Sequence, residues 1–164
     1  MIFASVGSML PFDRLVQAVD QWAGANPDQD VYIQIGEGEY EPRHAPFARV
    51  MTQGEYRERL RGCDLFVAHV GMGSILQGLE EKKQMLLLPR VMNLGEHTTD
   101  HQFHTAERFA HLDAIRIVQD VVALQQQMSL MLQSPLKTGA GISNQASTEL
   151  ISGITAFLDT ARRR

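Results

Sequence analysis

Residues 95–110, GEHTTDHQFHTAERFA, hold three histidines within eight positions: His97, His101 and His104, interleaved with acids and hydroxyls. Imidazoles at this density can ligate a metal, move a proton or hydrogen-bond a polar ligand. His97 and His101 are four apart, so one helical face could present both. Gly95 and the pair Thr98-Thr99 argue instead for a helix start near Asp100, with Thr99 as its cap and His97 in the loop before it. There is no HExxH, and the single cysteine, Cys63, gives no zinc framework. The expectation is no metal. His97 and His104 read as surface or packing residues.

Two glycine turns are the next candidates. Gly71-Met72-Gly73-Ser74 follows the apolar run LFVAHV and precedes a helical pattern. Glycines there let a phosphate approach the backbone, and a helix N-terminus offers free N–H groups and the positive end of the helix dipole. A tight turn without a ligand is the competing reading, since this is neither a full GxGxxG nor a P-loop. Gly7-Ser8 is a weaker signal of the same kind. Asp28-Gln29-Asp30 resembles the Asp-x-Asp with which some sugar transferases hold a divalent ion. It precedes a strand, at the amino end of the sheet, and reads as a solvated turn.

These residues need elements to position them. Apolar runs at 2–6, 31–35, 47–51, 65–70, 85–89 and 114–118 read as strands. Phe12, Leu15, Val16, Val19, Trp22 and Ala23 recur with a helical period, and Pro11 sits where a helix start tolerates proline. Further helices are expected at 53–61 with Thr52 as cap, 74–82, 100–111, 121–133 and 146–162. Strands alternate with helices and lack clean in–out alternation, the mark of a parallel sheet covered on both faces. The expected fold is α/β, a single Rossmann-like doubly wound sheet of about six strands in the order 3-2-1-4-5-6. Ligands of such sheets bind outside the carboxyl ends of strands one and four, where the connections diverge. Gly7-Ser8, Gly71 to Ser74 and the loop from Arg90 to Thr99 then share one crevice. The chain divides into a domain at 1–133, a linker at 134–145 and a C-terminal helical segment at 146–164.

Composition narrows the class. The 164 residues suit one domain, and 44% hydrophobic residues can build a core. A formal charge of −4 predicts no general attraction to nucleic acid or anionic membrane. One cysteine excludes an intrachain disulfide. The start MIFASVGSML has no basic region and breaks at Gly7 and Ser8, so it does not read as a signal peptide. No apolar run approaches the roughly 18 residues of a membrane span. A soluble, cytoplasmic protein is expected.

Four segments together carry a resemblance: IFASVGSMLPFDRLVQAVDQWA, QIGEGEYEP, HVGMGSILQGLEEKKQMLLLPR and LGEHTTDHQFHTAERF. In this order they resemble the C-terminal, nucleotide-sugar-binding domain of glycosyltransferase family 28. The plan is that of the small stand-alone subunits of two-part transferases, found in dolichol-linked glycan synthesis and bacterial exopolysaccharide assembly. The resemblance implies half of a GT-B glycosyltransferase that needs no cofactor. It places uracil against backbone near Val50-Met51 and the donor diphosphate at Gly71, Met72, Gly73 and Ser74, beside Gly7 and Ser8. Asp100, His101 and Gln102 would reach the donor sugar, with Arg90 in the same loop. One position departs from the pattern: Gln77 stands where the family usually has a ribose-binding glutamate. An amide carbonyl accepts one hydrogen bond without the charge that strengthens it. Glu80, one helical turn on, is the acid that could substitute.

What the resemblance implies is a UDP-sugar-binding subunit of a two-component inverting glycosyltransferase. Its acceptor would be a lipid-linked saccharide. Its partner would be a membrane-associated acceptor-binding subunit that also supplies the general base and recruits this chain to the inner face of the membrane. The stripe Leu150, Ile151, Ile154, Phe157 and Leu158, ending in Arg162, Arg163 and Arg164, either docks that partner or packs on its own domain. Two rival readings stay open: a non-catalytic nucleotide-sugar-binding or regulatory module, and a histidine-dependent metalloenzyme.

Overall fold

The computed structural model describes residues 1–98 and 101–138, without the side chains of His101 and Phe103. Six strands, β1 (Ile2–Ser5), β2 (Val31–Gln34), β3 (Phe47–Ala48), β4 (Leu65–His69), β5 (Met85–Leu88) and β6 (Ile115–Ile117), form one sheet. Its order is β3-β2-β1-β4-β5-β6, as expected. Every pairing is parallel, with Ile2 opposite both Val31 and Leu65. The helices are α1 (Asp13–Ala25), α2 (Gln53–Gly62), α3 (Met72–Glu80), α4 (His101–Phe109) and α5 (Val121–Gln133), with a 3-10 turn at Met92–Leu94.

The central strands are apolar on both sides because both sides are covered. Ile2, Ala4, Ile33, Val67, Leu86 and Leu88 pack on Leu15, Val16, Val19 and Trp22 of α1 and on Leu124 and Met128 of α5. Phe3, Phe66, Ala68, Met85 and Leu87 pack the opposite way, on Leu60 of α2, Ile75 and Leu79 of α3 and Ala106 of α4. Two acids on α1 hold the loop that follows β2, and one of them faces the core. Asp20 is fully buried; its carboxylate accepts from the backbone N–H of Arg43, His44 and Ala45 at 2.8–3.1 Å and from the Tyr40 hydroxyl at 2.8 Å. Asp13 accepts from Glu39 N–H at 3.1 Å. α1 thus anchors the loop between β2 and β3.

Several boundaries differ from expectation. Phe12 occupies the cap of α1, so Pro11 precedes the cap instead of opening the helix. β3 spans two residues, not five: Val50 turns outward, and the Arg49 guanidinium folds back to the Gly38 carbonyl at 2.8 Å. α3 begins at Met72, which puts Gly73 and Ser74 inside the first helical turn and makes Gly71 the cap. α2 starts as expected at Thr52, in a full capping box with Glu55. Residues 135–138 are irregular, yet Leu136 N–H donates to Gln84 Oε1 at 2.9 Å, which ties the start of the expected linker to the sheet. The rest of that linker, the helix expected at 146–162, the Thr99 cap and Asp100 lie outside the described residues.

Candidate functional site

The switch point lies between β1 and β4, and a crevice of about 590 Å³ opens over their carboxyl ends. Gly7, Ser8, Val50, Met51, Gly73, Ser74, Gln77 and Arg90 all line it. Residues far apart in sequence therefore meet here because of strand order. Gly71, Met72 and Gln102 are not among the lining residues. Gly71 lies against the His69 imidazole. Met72 is half exposed at the start of α3. Gln102 is buried, and its Oε1 accepts from Arg90 N–H at 2.9 Å, so it braces the strand end from behind.

The floor is built around a residue not singled out in sequence, His69. It ends β4, and its imidazole is wedged between the two glycine turns. A Cβ on Gly7 would stand 2.7 Å from Cε1, and a Cβ on Gly71 would collide with Nε2. Gly7 also has φ +79°, a conformation that disfavours side chains. Both glycines are therefore required by His69 and by the turn. The available signal was a lone polar residue closing the apolar run LFVAHV. Burial drives the His69 pKa down to about 3, with Arg90 and His97 adding in the same direction against the Ser5 backbone. Its buried Nδ1 has no hydrogen-bond partner among the described residues. His69 is thus a neutral imidazole at neutral pH. A depressed histidine pKa means the unfolded chain takes the proton first. The associated stability is complete above pH 6.5 and is lost as pH falls from 6.5 towards 3. Histidine-resolved NMR should find the His69 ring neutral down to about pH 4; a midpoint near 6.5 would contradict its burial.

A polar lattice fixes the surrounding loops. Ser5 Oγ donates to Gln34 Oε1 at 2.7 Å and accepts from Gly7 N–H at 3.1 Å. Gln34 Nε2 donates to the carbonyls of Gly7 and Arg49. Tyr56 of α2 reaches the side chains of Ser5 and Ser74, and burial raises its pKa, so it remains a hydroxyl donor. Arg90 is 3% exposed. Burial lowers its pKa to about 10, opposed by Glu96, which leaves it cationic at neutral pH.

α1 and α3 flank the switch point, and neither has a side-chain cap, whereas Thr52 caps α2 and Asp120 caps α5. The first-turn N–H groups of α3 are therefore left to other acceptors. With the Ser8 and Ser74 hydroxyls and the Arg90 cation nearby, the crevice suits a phosphorylated ligand. Val50, Met51 and Met9 offer an apolar side to the same space, and Glu37 is the acid in its lining.

Other candidates fall elsewhere. Glu80 stands 3.9 Å from Arg57 and is not among the crevice residues, so it does not replace the missing acid at Gln77. His97 is close enough to His69 to affect its charge, and His104 is exposed on α4. Asp28 and Asp30 line a separate hollow of about 310 Å³ at the amino end, beside His44. Among the described residues, no three His, Cys, Asp or Glu side chains cluster as a metal site would require.

Comparisons with known proteins agree with this fold. A family model, the glycosyltransferase family 28 C-terminal domain, matches residues 1–154. The glycotransferase of kitacinnamycin superposes with a TM-score of 0.63 at 22% identity, covering 82% of this chain and 35% of that one. Spinosyn forosaminyltransferase SpnP superposes at 0.54 and 15% identity, covering 81% and 35%. The chain thus spans about a third of the length of these enzymes, and they share its fold. No curated protein matches it.

Proposed function

Because the chain belongs to the glycosyltransferase family 28 C-terminal domains and forms one Rossmann-like half of a GT-B fold, we propose that it is the donor-binding subunit of a two-component inverting glycosyltransferase. The donor is a UDP-sugar. The acceptor is a lipid-linked saccharide held by a membrane-associated partner subunit, which also supplies the general base. The observation that carries this reading is the uncapped start of α3 facing the Gly7–Ser8 turn across the switch-point crevice.

The donor then has one sensible orientation. The uridine lies against Val50-Met51, with Gln53 and Gln77 beside the ribose. The diphosphate sits over Gly73 and Ser74, where N–H groups and the helix dipole stabilise the charge that grows on the leaving group. The sugar points towards Arg90. No step in this scheme needs a metal, so UDP binding is expected to survive EDTA. Loss of binding on chelation, restored by zinc or magnesium, would refute that.

Among the described residues no helix is long and apolar enough to cross a membrane. One sheet also cannot close over both substrates, as two Rossmann-like units do. The purified chain is therefore expected to transfer no sugar by itself to a lipid-linked acceptor, and to do so with its membrane-bound partner and one of a panel of UDP-sugars. Robust transfer by the chain alone would overturn the two-component reading. Gln77 favours a second reading, a non-catalytic nucleotide-sugar-binding module, because it removes the charged ribose acceptor. UDP binding without transfer, even with the partner present, would select it.

A further inference from the structure

Two loops flank the switch point and touch neither through strand pairing nor through a shared helix. One runs from Val6 to Phe12, the other from Pro89 to His97. Glu96 joins them. Its carboxylate accepts from Arg14 Nε at 2.6 Å and Arg14 Nη2 at 2.8 Å, a two-pronged ion pair, and from Val91 N–H at 2.8 Å. Arg14 Nη2 also donates to the Pro89 carbonyl at 2.9 Å. Arg90 makes the return connection. Its Nη2 donates to the carbonyls of Val6 at 2.9 Å and Leu10 at 2.6 Å. Both guanidinium groups lie beside the buried Phe12 ring, at 5.3 and 5.1 Å from its centre. Arg14 and Glu96 do not line the crevice.

The span held between these points contains Gly7 and the exposed residues Ser8 and Met9. Left alone, so short and irregular a stretch would sample many conformations. Ordering it on binding would cost affinity. The paired arms remove that freedom beforehand, since Val6 and Leu10, the two ends of the stretch, are both hung from one buried guanidinium. A half-buried, bidentate Arg–carboxylate pair is the kind that holds geometry as well as charge.

We infer that Arg14, Glu96 and Arg90 form a strap of positioning residues that pre-sets the Gly7–Ser8 turn for the donor's phosphates. The strap does not act on the nucleoside. This rests on the donor reading above. It assigns Arg14 and Glu96 a role no contact with ligand requires, and it gives Arg90 a second task besides its charge.

The discriminating experiment compares uridine with UDP on the whole chain. In Glu96→Ala, UDP affinity should fall about tenfold while uridine affinity stays within about twofold, because only the phosphate-facing turn is released. Glu96→Gln keeps an acceptor for Arg14 and Val91 and should recover most of the loss. Amide hydrogen exchange supplies an independent readout: Glu96→Ala should speed exchange at Gly7 to Leu10, on the opposite loop, and leave β2 and β4 unchanged. Faster exchange confined to 91–96, or equal weakening of uridine and UDP, would overturn the strap. A wild-type chain that binds neither ligand would sink the donor reading instead, and exchange at Gly7 to Leu10 would then decide alone whether the strap exists.

Discussion

Gly73→Val is expected to weaken UDP binding about a hundredfold or more while leaving the melting temperature within about 2 °C of wild type. Gly73 sits in the first turn of α3 and lines the crevice. A Cβ built there meets nothing within 4 Å, so the branched side chain enters open space, and that space is where the proposed diphosphate lies. Excluding the diphosphate forfeits two or more charge-assisted hydrogen bonds, each worth about 1.5–3 kcal/mol. Valine also has a slightly better helix propensity than glycine, which offsets small strain. Gly71→Ala should behave oppositely. Its Cβ collides with the His69 imidazole, so the damage appears as lost stability of about 1–3 kcal/mol. Calorimetry with UDP beside thermal melts separates the two. If Gly73→Val binds UDP normally, the diphosphate does not lie there.

The largest stability effect should come from Asp20→Ala, about 3–5 kcal/mol by urea denaturation. The carboxylate is completely buried and is the acceptor for three backbone N–H groups and the Tyr40 hydroxyl. Removing it strands those donors at about 1 kcal/mol or more each. It would also free the loop that carries Gly36 and Glu37 into the crevice. Burial alone would raise the Asp20 pKa, but the hydrogen bonds from Arg43, His44 and Tyr40 outweigh it and hold it below 3.8. A depressed carboxylate pKa stabilises the fold above the unfolded value, and this is lost as pH falls through the folded one. The gap between wild type and Asp20→Asn should therefore stay constant at neutral pH and narrow only below 3.8. A loss under about 1 kcal/mol for the alanine variant would show that the loop finds other acceptors.

The sheet order was legible because parallel strands buried on both faces must be apolar along most of their length, and IFA, LFVA and MLLL are. Doubly wound connectivity then placed Gly7-Ser8 and Gly73-Ser74 in one crevice. What stayed hidden depended on single contacts across the fold. Asp20 was not singled out in the sequence, because a lone acid on α1 carries no local mark of burial. Its partners lie twenty or more residues away. His69 gave only a polar end to a strand; the collision that makes it the floor of the site needs Gly7 and Gly71 in space. The Arg14–Glu96 pair spans 82 residues, and no local pattern announces it. Gln102 was expected to reach the sugar, but a buried amide beside a strand end satisfies backbone first. Gly73 was read as part of a turn because glycine disfavours helices, yet the first turn tolerates it.

An amide-resolved NMR titration of the whole chain with UDP, run beside one with uridine, tests the central claim most directly. UDP should shift Gly7, Ser8, Val50, Met51, Gly73 and Ser74 together, and uridine should shift Val50 and Met51 while sparing the two glycine turns. No shifts with UDP, or shifts confined to the Asp28, Asp30 and His44 hollow at the opposite end of the sheet, would contradict the switch-point crevice as a nucleotide-sugar site.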